Sequence, residues 1–200
     1  MVKLPHSLLV AAVVLSIVLS GCTAKQQSVA ATSLSDLEGM EVPAAGEHDT
    51  IVQNIPVGNT KGFTAPDFTI EKIDGKTVSL QQLTSEKPTL LYFWATWCPY
   101  CRKDLAEAEK VYPEYADKVH FLAIDLDPKE TASQIAAYQE KHGHGMLQFA
   151  ATDLRVLRDY GITSTTTKFA IDGNRLILWR GSGEVDEKTW RIILEGLALS

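Results

Sequence analysis

The sequence predicts an α/β sandwich, a central mixed sheet flanked by helices, over residues 62–200. Three observations predict it. From Gly62 onward, short β-prone runs alternate with stretches of helical periodicity, the order of a layered α/β domain. Thr89 to Ala95 is almost continuously apolar or β-branched, as a strand covered on both faces must be. The pattern closes with a hairpin around Asp172-Gly173-Asn174 and an amphipathic helix.

In chain order, Phe68–Ile73 and Lys76–Leu80 alternate around Asp74-Gly75, which predicts an N-terminal hairpin. Leu80-Gln81-Gln82-Leu83 predicts a helical turn. The Thr89–Ala95 strand is followed by a helical pattern from Pro99 to about Tyr115. Val119–Leu126 reads as a second central strand. Asp127-Pro128-Lys129-Glu130 combines an N-cap, a first-turn proline and a capping-box Glu. It predicts a helix that opens there and ends near His142, with Gly143 as C-cap. The His142-Gly143-His144 pair fits that helix end better than a metal site. Leu147–Ala150 predicts a short strand, and Asp153 caps a short helix that Gly161 closes. Thr167–Ile171 and Arg175–Trp179 form the closing hairpin. Asp186 caps the last helix, with Trp190, Ile193, Leu194 and Leu197 on one face.

Residues 1–61 differ in character. Lys3 precedes an apolar run, Leu8–Leu19, shorter than the roughly 20 residues of a comfortable membrane span. Leu19-Ser20-Gly21-Cys22 follows. This predicts a secretory signal peptide over residues 1–21 and an extracytoplasmic domain. Residues 22–61, rich in Ala, Ser, Gln, Thr and Gly, predict a flexible tether, with one short helical turn at Ser35–Met40. The chain has 200 residues and a net charge of −6, with no basic cluster, which argues against nucleic acid as a partner.

Of the three cysteines, Cys98 and Cys101 stand two residues apart at a strand-to-helix junction. That is the pattern of a redox pair. In the first turn of a helix the sulfurs can meet at little strain. Cys98 falls at the helix N-terminus, where free N–H groups and the dipole favour a thiolate, the attacking species in disulfide exchange. Zinc wants about four ligands, and no second cysteine pair exists. A purely structural disulfide across so short a loop constrains little of the unfolded chain.

Trp94-Ala95-Thr96-Trp97-Cys98-Pro99-Tyr100-Cys101 resembles the active-site motif of thioredoxin-like proteins, and more narrowly of membrane-anchored disulfide reductases of the TlpA/ResA type. Ala65-Pro66-Asp67-Phe68, with Asp74-Gly75-Lys76 and the segment Asp153–Ile171, extends the likeness. The resemblance implies a thioredoxin fold with an N-terminal β-hairpin extension and an inserted helix. It implies an extracytoplasmic thiol–disulfide oxidoreductase that reduces protein disulfides, in a setting such as cytochrome c maturation. A membrane electron donor would re-reduce it, and no cofactor or metal is required. Leu-Ser-Gly-Cys resembles a bacterial lipoprotein box, implying lipidation of Cys22 and attachment to the bilayer.

Cys98 is the expected nucleophile and Cys101 the resolving thiol. Trp97, Pro99 and Tyr100 are expected beside the substrate. Asp104 matches the acidic position of the TlpA/ResA type, so it is the candidate proton carrier for Cys101; the other reading is a solvated Asp paired with Arg102 or Lys103. Thioredoxin's own buried Asp is replaced here by Tyr92. Thr165-Thr166-Thr167 aligns with the substrate-docking loop, and Thr166 stands where the family places a cis-proline. Restoring proline there is expected to improve docking of protein substrates. Two other activities fit the motif: a thiol oxidase, and a copper-assembly chaperone, whose cysteines are usually three residues apart rather than two.

Overall fold

The computed structural model describes residues 55–200. The expected signal peptide, Cys22, the turn at 35–40 and most of the tether lie outside the described residues. Strands β1 (Thr69–Glu71) and β2 (Thr77–Ser79) form an antiparallel hairpin and lead into α1 (Leu80–Glu86). Then come β3 (Thr89–Trp94), α2 (Pro99–Val111) with a 3-10 turn at Tyr112–Glu114, and β4 (His120–Asp125). They are followed by α3 (Ala132–His142), β5 (Gln148–Ala150), α4 (Leu154–Asp159), β6 (Thr167–Ile171), β7 (Ile177–Gly181) and α5 (Glu187–Ala198). The main sheet has the order β5-β4-β3-β6-β7. Strands β3, β4 and β5 run parallel, and β6 runs antiparallel both to β3 and to the edge strand β7. This is the thioredoxin-like α/β fold with its N-terminal hairpin.

Every residue of β3 is buried. Its alternating side chains supply both layers of the core, as the two-residue repeat of a strand demands. Leu90, Tyr92 and Trp94 pack with Leu105, Phe121 and Trp190 on the α2/α5 side. Leu91 and Phe93 pack with Leu122, Phe169, Phe68 and Ile70 on the other. Burying aromatic rings of this size contributes roughly 2–3 kcal/mol each, so β3 is fixed from both faces.

Three boundaries differ from the sequence expectation. Helix α3 opens at Ala132, not at Pro128: Thr131 is its N-cap and Gln134 completes the capping box. Asp127 caps a tight turn instead, with its Oδ1 accepting from the Lys129 amide at 2.9 Å. Strand β7 starts at Ile177, because Asp172 Oδ1 accepts from the amides of Asn174 and Leu176, and Arg175 takes a left-handed φ of 65°. Residues 56–61, read as tether, are part of the folded domain. Gly62 and Ile177 share a backbone bond, and Arg180 Nη1 donates to the Asn59 carbonyl at 2.9 Å. From there the chain crosses one face of the sheet and meets β5 at the opposite margin, where the Ile73 amide donates to the Phe149 carbonyl. Among the described residues, no helix is long and apolar enough to cross a membrane.

Candidate active site

The β3–α2 loop is tied down before the cysteines begin. The Cys98 amide donates to the Ala95 carbonyl at 3.2 Å. The Thr96 amide donates to Glu130 Oε2 at 3.0 Å, and the Thr96 hydroxyl donates to the other oxygen of the same carboxylate. The Trp97 indole donates to Asp127 Oδ2 at 2.8 Å. Hydrogen bonds from the Lys129 amide and from Trp97 hold the Asp127 carboxyl below its ordinary pKa. Trp97 is thus 61% exposed and braced from below, not packed in the core.

Cys98 is the N-cap of α2, and its Sγ accepts from the Cys101 amide at 3.1 Å. Pro99 takes the first helical position, where a missing N–H leaves nothing unsatisfied. The two cysteines form a disulfide, with Cα atoms 5.2 Å apart. Their exposures are 2% and 0%, whereas Tyr100 beside them is 60% exposed. When the bond is reduced, the Cys101 N–H and the N-terminal dipole of α2 both favour a thiolate at Cys98.

Asp104 lies one turn beyond Cys101 and is fully buried. Its Oδ2 meets Lys168 Nζ at 2.6 Å and accepts from the Tyr92 hydroxyl at 3.1 Å. Its Oδ1 accepts from the Val185 amide at 3.0 Å. The solvated alternative therefore does not hold, and Lys103 pairs instead with Glu184 at 3.8 Å. Burial holds the Asp104 carboxyl above its ordinary pKa, and the Lys168 ammonium offsets part of that rise. Tyr92, at the position of thioredoxin's buried acid, points its hydroxyl into this same carboxylate. Lys168 was not anticipated. Its one sequence signal is a charged residue in the middle of an otherwise apolar and β-branched strand.

Residues Phe93 and Thr167 are register partners, so Thr165 and Thr166 sit at the same sheet end as the cysteine loop. Thr165 is half-buried, and Thr166 is buried with a left-handed φ of 61°. The Thr166 Oγ1 accepts from the Gly183 amide at 3.0 Å. A proline ring fixes φ near −65°, so proline there requires this loop to change its backbone conformation, which works against the expected gain. At the same sheet end, Asp125 is buried with its Oδ1 unpartnered, and burial raises its pKa to about 7. The Thr152 hydroxyl donates to its Oδ2 at 2.7 Å.

Comparison with known proteins agrees with this geometry. The chain is 32% identical over 122 residues to the thioredoxin-like protein YneN of Bacillus subtilis, covering 60% of this chain and 71% of that one. It is 29% identical over 124 residues to the thiol-disulfide oxidoreductase ResA of Bacillus thuringiensis, covering 62% and 70%. The crystal structure of the exposed lipoprotein thioredoxin Etrx1 of Streptococcus pneumoniae shares the fold, with a TM-score of 0.58 at 22% identity over 66% of this chain and all of that one. The profile of the AhpC/TSA family matches residues 62–180. That span holds the cysteine loop, Asp104, Lys168 and most of β7, so the chain belongs to the AhpC/TSA family and the work done at its cysteine pair is thiol–disulfide exchange.

Proposed function

We propose that this protein is an extracytoplasmic reductase of protein disulfides, anchored to a bilayer by lipid on Cys22. The observation that carries the reductive chemistry is the Cys98 sulfur at the N-cap of α2, accepting from the Cys101 amide. In the reduced enzyme the Cys98 thiolate attacks one sulfur of a substrate disulfide. That S–S bond breaks, a mixed disulfide forms, and the first substrate sulfur leaves as a thiolate that takes a proton. Cys101 then loses its proton and attacks Cys98 Sγ. The Cys98–Cys101 bond forms, the second substrate thiol is released, and two electrons have passed to the substrate. A membrane donor returns the pair to the dithiol. Exposed Trp97, Pro99 and Tyr100, with the Thr165-Thr166 loop, form the surface offered to substrate. Disulfide-bonded cysteines of apocytochrome c are the substrate class the resemblance suggests. The short apolar run ending in Leu-Ser-Gly-Cys22 supports the anchor, as does the lipoprotein character of the Streptococcus pneumoniae neighbour.

Insulin reduction tests the order of attack. Cys98→Ser is expected to abolish turnover, and Cys101→Ser to accumulate a mixed disulfide. Full turnover by the Cys98→Ser protein would refute the assignment. The redox potential of the pair separates reductase from oxidase, a strongly reducing value being expected. Mass spectrometry of the mature protein is expected to find residues 1–21 removed and Cys22 acylated.

A further inference from the structure

Lys168 has no place in the exchange chemistry just described, yet its side chain is fully buried. A buried ammonium is tolerated only when its donors are satisfied. Here all three are. Lys168 Nζ donates to the Thr166 carbonyl at 3.0 Å and to the Gly183 carbonyl at 2.7 Å, and meets Asp104 Oδ2 at 2.6 Å. The nitrogen also lies 5.0 Å and 5.5 Å from the ring centroids of Tyr92 and Trp190, an arrangement that favours a cation. One ammonium thus joins three separate pieces of chain: the cysteine helix, the loop at Thr166 and the connection from β7 to α5.

We propose that Lys168 is a positioning residue for disulfide exchange. It keeps the carboxylate one turn behind Cys101 ionised and bound, and it fixes the Thr166 loop to the cysteine helix. The groups facing that carboxylate agree with this. Tyr92 approaches from β3, Lys168 from β6, and the Val185 amide from the segment before α5. The Trp190 indole from α5 bonds the Asp104 carbonyl at 3.0 Å. On its own helix Arg102 and Lys103 are exposed, the latter engaged with Glu184, which lies outside the buried cluster. Burial would drive an isolated Asp104 to its neutral form, and among the described residues Lys168 is the single full charge in contact with it that opposes this.

The consequence falls on the second chemical step. With Lys168 present, Asp104 stays a carboxylate whose charge is cancelled, and Cys101 loses its proton without an unbalanced negative neighbour. Without Lys168, Asp104 is neutral at low pH and an uncompensated anion beside Cys101 at high pH. The neutral acid cannot accept the Cys101 proton, and the uncompensated anion opposes the Cys101 thiolate by like charge, so either state slows the step.

The test follows release of a substrate from the Cys98 mixed disulfide by stopped flow between pH 5 and 9. Lys168→Met is expected to slow release about tenfold at pH 7, the effect of one unit in thiol pKa, and to add an ionisation to the profile that wild type lacks. Asp104→Asn in the Lys168→Met background is expected to remove that ionisation. Lys168→Arg, which keeps the charge, is expected to keep the wild-type profile. A Lys168→Met profile parallel to wild type at every pH would mean a merely structural lysine and would overturn the proposal. Should Lys168→Met fail to fold, 13C NMR of the Asp104 carboxyl in the reduced wild-type protein decides: a constant shift from pH 5 to 9 supports the proposal, and a titration in that window refutes it. The proposal rests on Cys101 being the resolving thiol. The absence of a mixed disulfide in Cys101→Ser would refute that order of attack while leaving the NMR result to stand alone.

Discussion

His144 has both ring nitrogens buried without a hydrogen-bond partner, its nearest carboxylate oxygen, Glu109 Oε2, lying 3.9 Å away. Burial lowers its pKa from 6.5 to about 4. The unfolded chain therefore binds a proton in that interval that the folded chain refuses. Folding stability from this residue is lost as pH falls from about 6.5 to about 4, by roughly 3 kcal/mol at most. Asp125 acts in the opposite sense. Its folded pKa is raised from 3.8 to about 7, so its contribution is lost as pH rises through that window. Relative to wild type, His144→Phe should gain stability at pH 4.5 compared with pH 7.5, and Asp125→Asn should gain at pH 7.5 compared with pH 4.5. Urea unfolding at the two pH values checks both signs. At Thr166 the backbone decides: with φ at 61°, Thr166→Pro should destabilise the fold by about 2–3 kcal/mol, read as a lower urea midpoint. Reading the sequence located Cys98, Cys101 and Asp104, because spacing along one helix is a local property. It could not show Lys168 meeting Asp104, because that contact joins α2 to β6 across the core.

Among the elements, the β3–α2 loop depends on a residue from another connection. Glu130 takes both the amide and the hydroxyl of Thr96, two residues before the nucleophile. Glu130→Ala should leave the Thr96 amide unsatisfied and lower stability by about 1–3 kcal/mol. It should also slow reaction with a small disulfide reagent several-fold, because the cysteine loop loses its brace; stopped-flow rates and thermal unfolding measure the two effects. The same contact explains why α3 starts later than its local sequence signal predicts. Asp-Pro-Lys-Glu has the local grammar of a helix start, but Glu130 is drawn to Thr96 and the cap passes to Thr131. Elements whose signals are local were legible: the covered strand β3, the capped helices α4 and α5, and both hairpins. What tertiary demand reassigns was not.

For the whole molecule, the disulfide is a small fraction of the stabilising force. It closes a loop of only four residues, and loop-closure entropy for so short a ring amounts to about 2 kcal/mol. Reduction by dithiothreitol should thus shift the unfolding free energy by no more than about 2 kcal/mol, measurable by denaturant titration of both forms. The domain can cycle between redox states while β3, buried on both faces, stays in place.

The N-terminal segment that crosses the sheet has a mechanical meaning. It is fastened at one margin, where Asn59 and Gly62 meet Arg180 and Ile177, and again at the other, where Ile73 meets Phe149. Tension applied at residue 55 loads the first fastening before the second, at β7 and at the end of α4, where Asn59 Nδ2 donates to the Asp159 carbonyl, with β6 standing between β7 and the β3 strand that carries the cysteine loop. The strap would peel from its near buckle before force reached the far one, and a domain pulled by its leash would yield at the rim while the cysteine pair kept its working geometry.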